Sequence, residues 1–323
     1  MTRISVLLLL YGIFTISAHA EKPSPPPAWI KSLEKQRNAL HRFEVEVETW
    51  RLDIRGATSS VTYEQGENLL AWFSGLLSQS NLQEADSDEV VSLIVKEVRN
   101  RFGGSLQITE ALREIYQRDS EQGYYRVWDK FSGALSVFDR RGIWNQDEQE
   151  ISIGPVPKDS EIEVYLARLG LFLPSSATAE EVLSATPSQA TSEMVFRVDM
   201  EGSRFRFGCR PWLGMGLVDS IRETSLWDGK EQGLLEKRVW SQLPPMGPMP
   251  PELPYPFFPL VGVELQYHSD TKVESIAVRR ILSVNLDLNS WSSFPKERPP
   301  FGWTILDYRF KPEVEYRFGF QSP

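Results

Sequence analysis

Alternation between apolar and polar positions runs through most of the chain. Phe43, Val45 and Val47 alternate with Glu44, Glu46 and Glu48, the pattern of a strand with one covered face and an acidic, solvated one. Trp50, Leu52 and Ile54 continue on the even positions, so one extra residue near Thr49, a β-bulge, would reset the facing. Met194, Phe196, Val198 and Met200 share one parity. The chain turns at Glu201 and Gly202 and returns with Phe205 and Phe207 alternating with Arg204 and Arg206. Asp228 and Gly229 supply the positive φ of a second tight hairpin. Strands are also predicted over 123–128, 134–140, 150–153, 261–268 and 273–288, with a closing pair over 303–310 and 314–320. Within 273–288, Val278, Ile281, Val284, Leu286 and Leu288 contain another parity slip.

Elsewhere the period lengthens toward that of a helix. Trp29, Ile30, Leu33 and Leu40 share a face over 28–40, after a stiff leader containing Pro23, Pro25, Pro26 and Pro27. From Glu67, the run Leu69, Leu70, Trp72, Phe73, Leu76 and Leu77 suits a helix weakened by Gly75, with a buried strand as the alternative. Asp86 and Glu89 resemble a capping box ahead of Val90, Val91, Ile94, Val95, Val98 and Phe102, and Gly103 and Gly104 stop that helix. A short helix is predicted over 109–116 and a longer one over 160–171, striped by Ile162, Tyr165, Leu166 and Leu169. The Ser-, Thr- and Ala-rich stretch 174–192 reads as a surface connection with a turn of helix. These elements predict one α+β domain over 43–320, in which a large curved antiparallel sheet, a half-barrel, packs on helices along its concave side. A helical insertion occupies about 67–118, and residues 21–42 form the Pro-rich leader and first helix.

The stretch 244–251, with five prolines, can be neither helix nor central strand. Met246 and Met249 are adaptable, so one reading is a lid over an apolar cavity bordered by Trp240, Phe257 and Phe258. An extended crossover on the surface is the other.

Composition changes the picture in three ways. Arg3, the apolar run 4–16 and the small-x-small pattern Ala18, His19, Ala20 form a secretory signal over 1–20 and predict an exported, periplasmic or extracellular, mature chain. The formal charge of −9, becoming −10 once Arg3 leaves, argues against a nucleic-acid partner. A single cysteine, Cys209, leaves no internal disulfide and reads as a buried thiol. No later segment is apolar for long enough to span a membrane.

Candidate chemistry is sparse. The mature chain has two histidines, His41 and His268, and no nucleophile elbow, zinc-protease helix, phosphate loop or Cys/His cluster, so neither metal nor cofactor is expected. A carboxylate pair of the glycosidase kind carries no motif, and the residue types lean away from an enzyme. Arg204, Arg206 and Arg210, with Arg197 across the turn, form a local basic cluster able to hold an anionic ligand or simply to face water.

Leu226, Trp227, Asp228, Gly229 and Lys230 are similar to the Asp-Gly-Lys turn of the periplasmic lipoprotein carriers, the LolA/LolB-like superfamily. The late strands of 275–288 resemble those of the same superfamily, and the sequence Pro300, Phe301, Gly302, Trp303, Thr304, Ile305, Leu306, Asp307, Tyr308, Arg309 resembles the final turn and strand of its larger secreted relatives. The resemblance covers the chain from about 194 onward and the Phe43 strand. It implies a half-barrel wrapped round helices, with an apolar concave face that takes acyl chains. The function expected is therefore a non-catalytic binding protein for a lipid, a lipidated polypeptide or another apolar ligand. The alternatives are an envelope structural or protein-interaction module with a filled interior, and a glycan-active hydrolase or glycan binder using Trp212, Trp227 or Trp240.

Overall fold

The computed structural model describes residues 28–53, 61–77, 87–102, 107–140, 142–147, 149–156, 158–183, 193–200, 202–212, 215–227, 230–243, 258–268, 272–287, 289, 292–293 and 302–317. Two antiparallel meanders are joined into one sheet. The first contains β1 (Arg42–Asp53), β2 (Gln107–Asp119), β3 (Tyr124–Asp129), β4 (Leu135–Asp139), β5 (Gly142–Asp147) and β6 (Glu150–Gly154), each paired with the next. The second contains β7 (Thr178–Leu183), β8 (Glu193–Met200), β9 (Ser203–Trp212), β10 (Met215–Trp227), β11 (Lys230–Leu243), β12 (Phe258–His268) and β13 (Lys272–Asn285). β13 pairs with β1 and joins the meanders. β14 (Thr304–Asp307) adds to β6 in parallel and carries β15 (Val314–Arg317), giving 15 strands with β15 and β7 at opposite edges. Among the described residues these two edges do not pair, so the sheet is not closed into a barrel.

Met200 pairs with Ser203 around Gly202, whose φ is 75°, as the first turn requires; Trp227 pairs with Lys230, and the intervening Asp228 and Gly229 lie outside the described residues. Among the described residues four helices accompany the sheet: α1 (Ala28–Ala39), α2 (Tyr63–Leu77), α3 (Ser87–Phe102) and α4 (Asp159–Ala167). The capping residue Asp86, the leader 1–27 and the segment 244–257 lie outside the described residues.

The bulge expected in β1 near Thr49 is absent. Glu46 pairs with Ser283 and Val47 with Ile281, so the extra residue is Leu282 of β13; likewise Arg51 pairs with Glu110 and Leu52 with Ile108, leaving Thr109 of β2 extra. β1 alternates without interruption, and its apolar residues change parity because they serve opposite faces. Phe43, Val45 and Val47 join a core with α1 and α4, whereas Leu52 joins a second core with α2 and α3. The expectation of helices on the concave side alone is thereby corrected, because helices cover both faces. In β13, Val278 belongs to the second core and Ile281 to the first. The slip from Ile281 to Val284 is a true bulge.

Close approach fixes the helices. Ser32 Oγ of α1 accepts a hydrogen bond of 2.7 Å from the Gly216 N–H of β10, and a Cβ on Gly216 would lie 2.7 Å from Leu33 Cγ and 2.8 Å from the Trp29 carbonyl oxygen. Burial of Trp29 and Leu33 contributes roughly 1.5–3 kcal/mol each. On the other face Gly66 of α2 abuts Tyr267 and Val273. α4 reaches two distant strands: the rings of Tyr165 and Phe138 of β4 are 5.7 Å apart, and the Arg168 guanidinium lies 5.6 Å from the Phe205 ring of β9.

Three further expectations are corrected. Residues 109–116 form strand β2, since pairing with β1 and β3 outweighs the helix propensity of Ala111, Leu112 and Glu114. The stretch 174–192 contains an edge strand, β7, paired with β8. The row Glu44, Glu46 and Glu48 is not a solvated face. Glu44 is buried and accepts from Gln117 Nε2 at 2.6 Å and Ser292 Oγ at 3.0 Å, Glu46 pairs with Arg113 and Lys130 at 2.7 Å each, and Glu48 pairs with Arg280 at 2.6 Å. Neighbouring segments place cations beside Glu46 and Glu48; burial raises the Glu46 carboxyl, but the bonds from Lys130 and Arg113 outweigh it and leave its pKa below the ordinary value.

Candidate functional site

A cavity of about 200 Å³ lies under α4, on the face that holds α1. Pairing register builds its floor. Val47 lies opposite Glu114 and Val45 opposite Tyr116; Tyr116 lies opposite Val127, Val127 opposite Ser136, and Tyr125 opposite Phe138. Directly paired residues share a face, so β2, β3 and β4 deliver these side chains to one place. Tyr165, Arg168 and Leu169 close the top, and Arg279 of β13 enters from the side. The ring centroids of Tyr116 and Tyr125 are 6.4 Å apart, those of Tyr125 and Phe138 5.1 Å. With Tyr165 they form an arc of four rings, and Tyr165, 39% exposed, stands at the rim.

The polar groups are arranged asymmetrically. Arg279 pairs with Glu264 at 3.1 Å, and Arg168 pairs with Glu223. Glu114 Oε2 accepts a 2.8 Å hydrogen bond from the Tyr116 hydroxyl and makes no ion pair among the described residues. Burial pushes the Glu114 carboxyl above its ordinary pKa, with Asp129 and Glu264 adding to the rise and Tyr116 and Arg279 opposing it. Burial likewise raises Tyr125 well above the ordinary phenol range, helped by Tyr116 and Glu114.

The residues singled out from sequence lie elsewhere. Arg204 and Arg206 project from β9, where Arg204 pairs with Asp199 at 2.8 Å and Arg206 with Glu180 at 2.9 Å. Arg197 pairs with Asp199, and Arg210 with Asp219 at 2.8 Å, so the basic cluster is matched by carboxylates of its own chain. Trp240 lies in β11 opposite Gly262, and Phe258 begins β12 opposite Leu243. Met246, Met249 and Phe257, the core of the lid reading, lie outside the described residues. Cys209 is buried, and burial raises its thiol pKa. Sequence reasoning missed Glu114 and Tyr116 because 109–116 reads as helix, and the mixed parity of Glu114, Ile115, Tyr116, Gln117 and Arg118 carries no alternation that would mark a strand.

A second, more open groove of about 400 Å³ separates α3 from the end of β1, between Trp50 and Val91, Val95, Lys96 and Arg99. Among the described residues no group of His, Cys, Asp or Glu could hold a metal ion, and no helix is long and apolar enough to cross a membrane. No family model matches the chain, and no curated protein matches it.

Proposed function

We propose that this chain is an exported, non-catalytic binding protein for a lipid, a lipidated polypeptide or another apolar ligand, held between the sheet and α4. The observation that carries this reading is the cavity under α4, where Tyr116, Tyr125, Val127, Phe138 and Tyr165 border unfilled space. At ~30 Å³ per water-sized group it takes roughly half a dozen heavy atoms, and a longer chain requires α4 to shift. A half-barrel wrapped round α1 and α4, as in the lipoprotein carriers, is supported by the double reach of α4. β4 and β9 are separated by eight strand spacings, about 38 Å in a flat sheet. Tyr165 and Arg168, 5.9 Å apart on one helix end, nevertheless touch both strands.

A second reading, an interaction module with a filled interior, is favoured by the α1 end of the same face, where Trp29 and Leu33 are 7% and 2% exposed. Native mass spectrometry of protein purified from its own source separates the two. The carrier reading expects a co-purified lipid or acylated species that is lost when Phe138→Trp fills the cavity. A chain that emerges ligand-free, and takes up no lipid on incubation with an extract of its source membranes, refutes it.

A further inference from the structure

We propose that the cavity under α4 recognises an organic ammonium group, the cationic end of its ligand. This rests on the reading of that cavity as a ligand site and adds the chemistry it selects. Rings carry negative potential on their faces, and an arc of aromatic side chains is the surface that holds an alkylated ammonium best. Four rings, those of Tyr116, Tyr125, Phe138 and Tyr165, border this space. The carboxylates decide the sign of the charge it accepts. Both arginines at the wall have an acidic partner, Arg279 in Glu264 and Arg168 in Glu223. Glu114 is the surplus acid: it faces the cavity, has a tyrosine hydroxyl as its bonded partner, and has Asp129 opposite it on β3. An incoming cation gives Glu114 a direct ionic partner in addition to the field of Arg279, whereas an incoming carboxylate meets Glu114 at the lining while the two lining arginines are already engaged by Glu264 and Glu223. The volume of about 200 Å³ suits a trimethylammonium group with a short stem, with the rest of the ligand leaving past Tyr165.

The test is calorimetric titration of the full mature chain with tetramethylammonium and choline, against 3,3-dimethylbutan-1-ol, which has the shape of choline without its charge. The ammonium compounds are expected to bind at least tenfold more tightly than the alcohol. Glu114→Gln is expected to lose at least tenfold in ammonium affinity with the alcohol unchanged. Tyr165→Ala, at the exposed rim where folding is safe, is expected to weaken ammonium binding several-fold. Equal binding of choline and the alcohol, or full ammonium affinity in a folded Glu114→Gln chain, overturns the proposal. Dihexanoylphosphatidylcholine distinguishes sources: tighter binding than choline, with the same dependence on Glu114, assigns a lipid headgroup, and equal binding assigns a free amine. The outcome is separable from the carrier reading. A co-purified lipid without ammonium binding sinks only this inference, and ammonium binding by a chain that never takes up lipid sinks only the carrier.

Discussion

Two glycines of α2 set up a comparison that tests how the helix is seated. Gly75 is exposed, and a Cβ there would meet nothing within 4 Å. Gly66 is buried, and its Cβ would sit 2.8 Å from the Tyr267 hydroxyl, 2.9 Å from Val273 Cγ2 and 3.2 Å from Leu265 Cδ1. Replacing either glycine with alanine lowers the entropy of the unfolded chain and favours helix by roughly 0.5–1 kcal/mol. At Gly75 nothing opposes that gain, so Gly75→Ala is expected to stabilise the protein by this amount. At Gly66 three side chains of β12 and β13 must give way. The Tyr267 hydroxyl is held by a 3.2 Å bond to Glu67, and Val273 is β-branched and stiff. Overpacking of this kind costs about 1–3 kcal/mol, leaving Gly66→Ala with a net loss of up to roughly 2.5 kcal/mol and less stable than Gly75→Ala by about 1–3 kcal/mol. Because the helix gain is common to both, the difference between the variants isolates the contact. Urea unfolding followed by far-ultraviolet circular dichroism and by tryptophan fluorescence measures it. A Gly66→Ala protein as stable as Gly75→Ala would show that α2 does not rest on β12 and β13, and the second core would have to be redrawn.

Two electrostatic predictions follow from the same structure. The Glu114 carboxyl holds its proton more tightly folded than unfolded, where its pKa is the ordinary 4.5, so stability from this group is present at low pH and lost as pH rises through the folded value. Glu114→Gln should therefore be more stable than the parent at pH 8 and lose that advantage at pH 4 in paired urea titrations; a reversed order refutes the burial argument. Asp199, bonded by Arg197 and Arg204, has its carboxyl pKa depressed from 3.8 to about 2, so its contribution is full above 3.8 and fades as pH falls through about 2. Carbon-13 NMR titration should find that low midpoint and see it climb in Arg197→Ala; an unmoved midpoint removes Arg197 as the cause.

Much of the sheet was legible because period-two alternation survives wherever one face is covered. The hairpin from Met194 to Phe207 is the clean case: Phe196, Val198, Phe205 and Phe207 are all buried on one side. β1 shows where the logic fails. A strand covered on both faces at different points along its length has apolar residues of both parities, and from sequence this cannot be told from a bulge. β2 failed for another reason: Ala111, Leu112, Arg113 and Glu114 favour helix locally, and only its neighbours β1 and β3 make it a strand. The cavity under α4 was lost with it, since residues from β2, β3, β4, β13 and α4 meet there through pairing that a linear reading does not contain.

The wiring of the sheet also dictates an order of events. A hairpin such as β8–β9 closes across a short turn, but the β1–β13 seam joins Val47 to Ile281 and closes over most of the chain. Local pairs form first and long-range pairs wait on loop closure, so this seam is the natural last step. On a ribosome the wait is literal, since β13 emerges long after β1 and its first meander. For that interval one edge of β1 offers unpaired backbone groups to any passing strand. Glu46 is by then held by Arg113 and Lys130, but Glu48 keeps an unmatched charge on that strand until Arg280 arrives on β13, and such a charge opposes pairing with a second copy of the same edge.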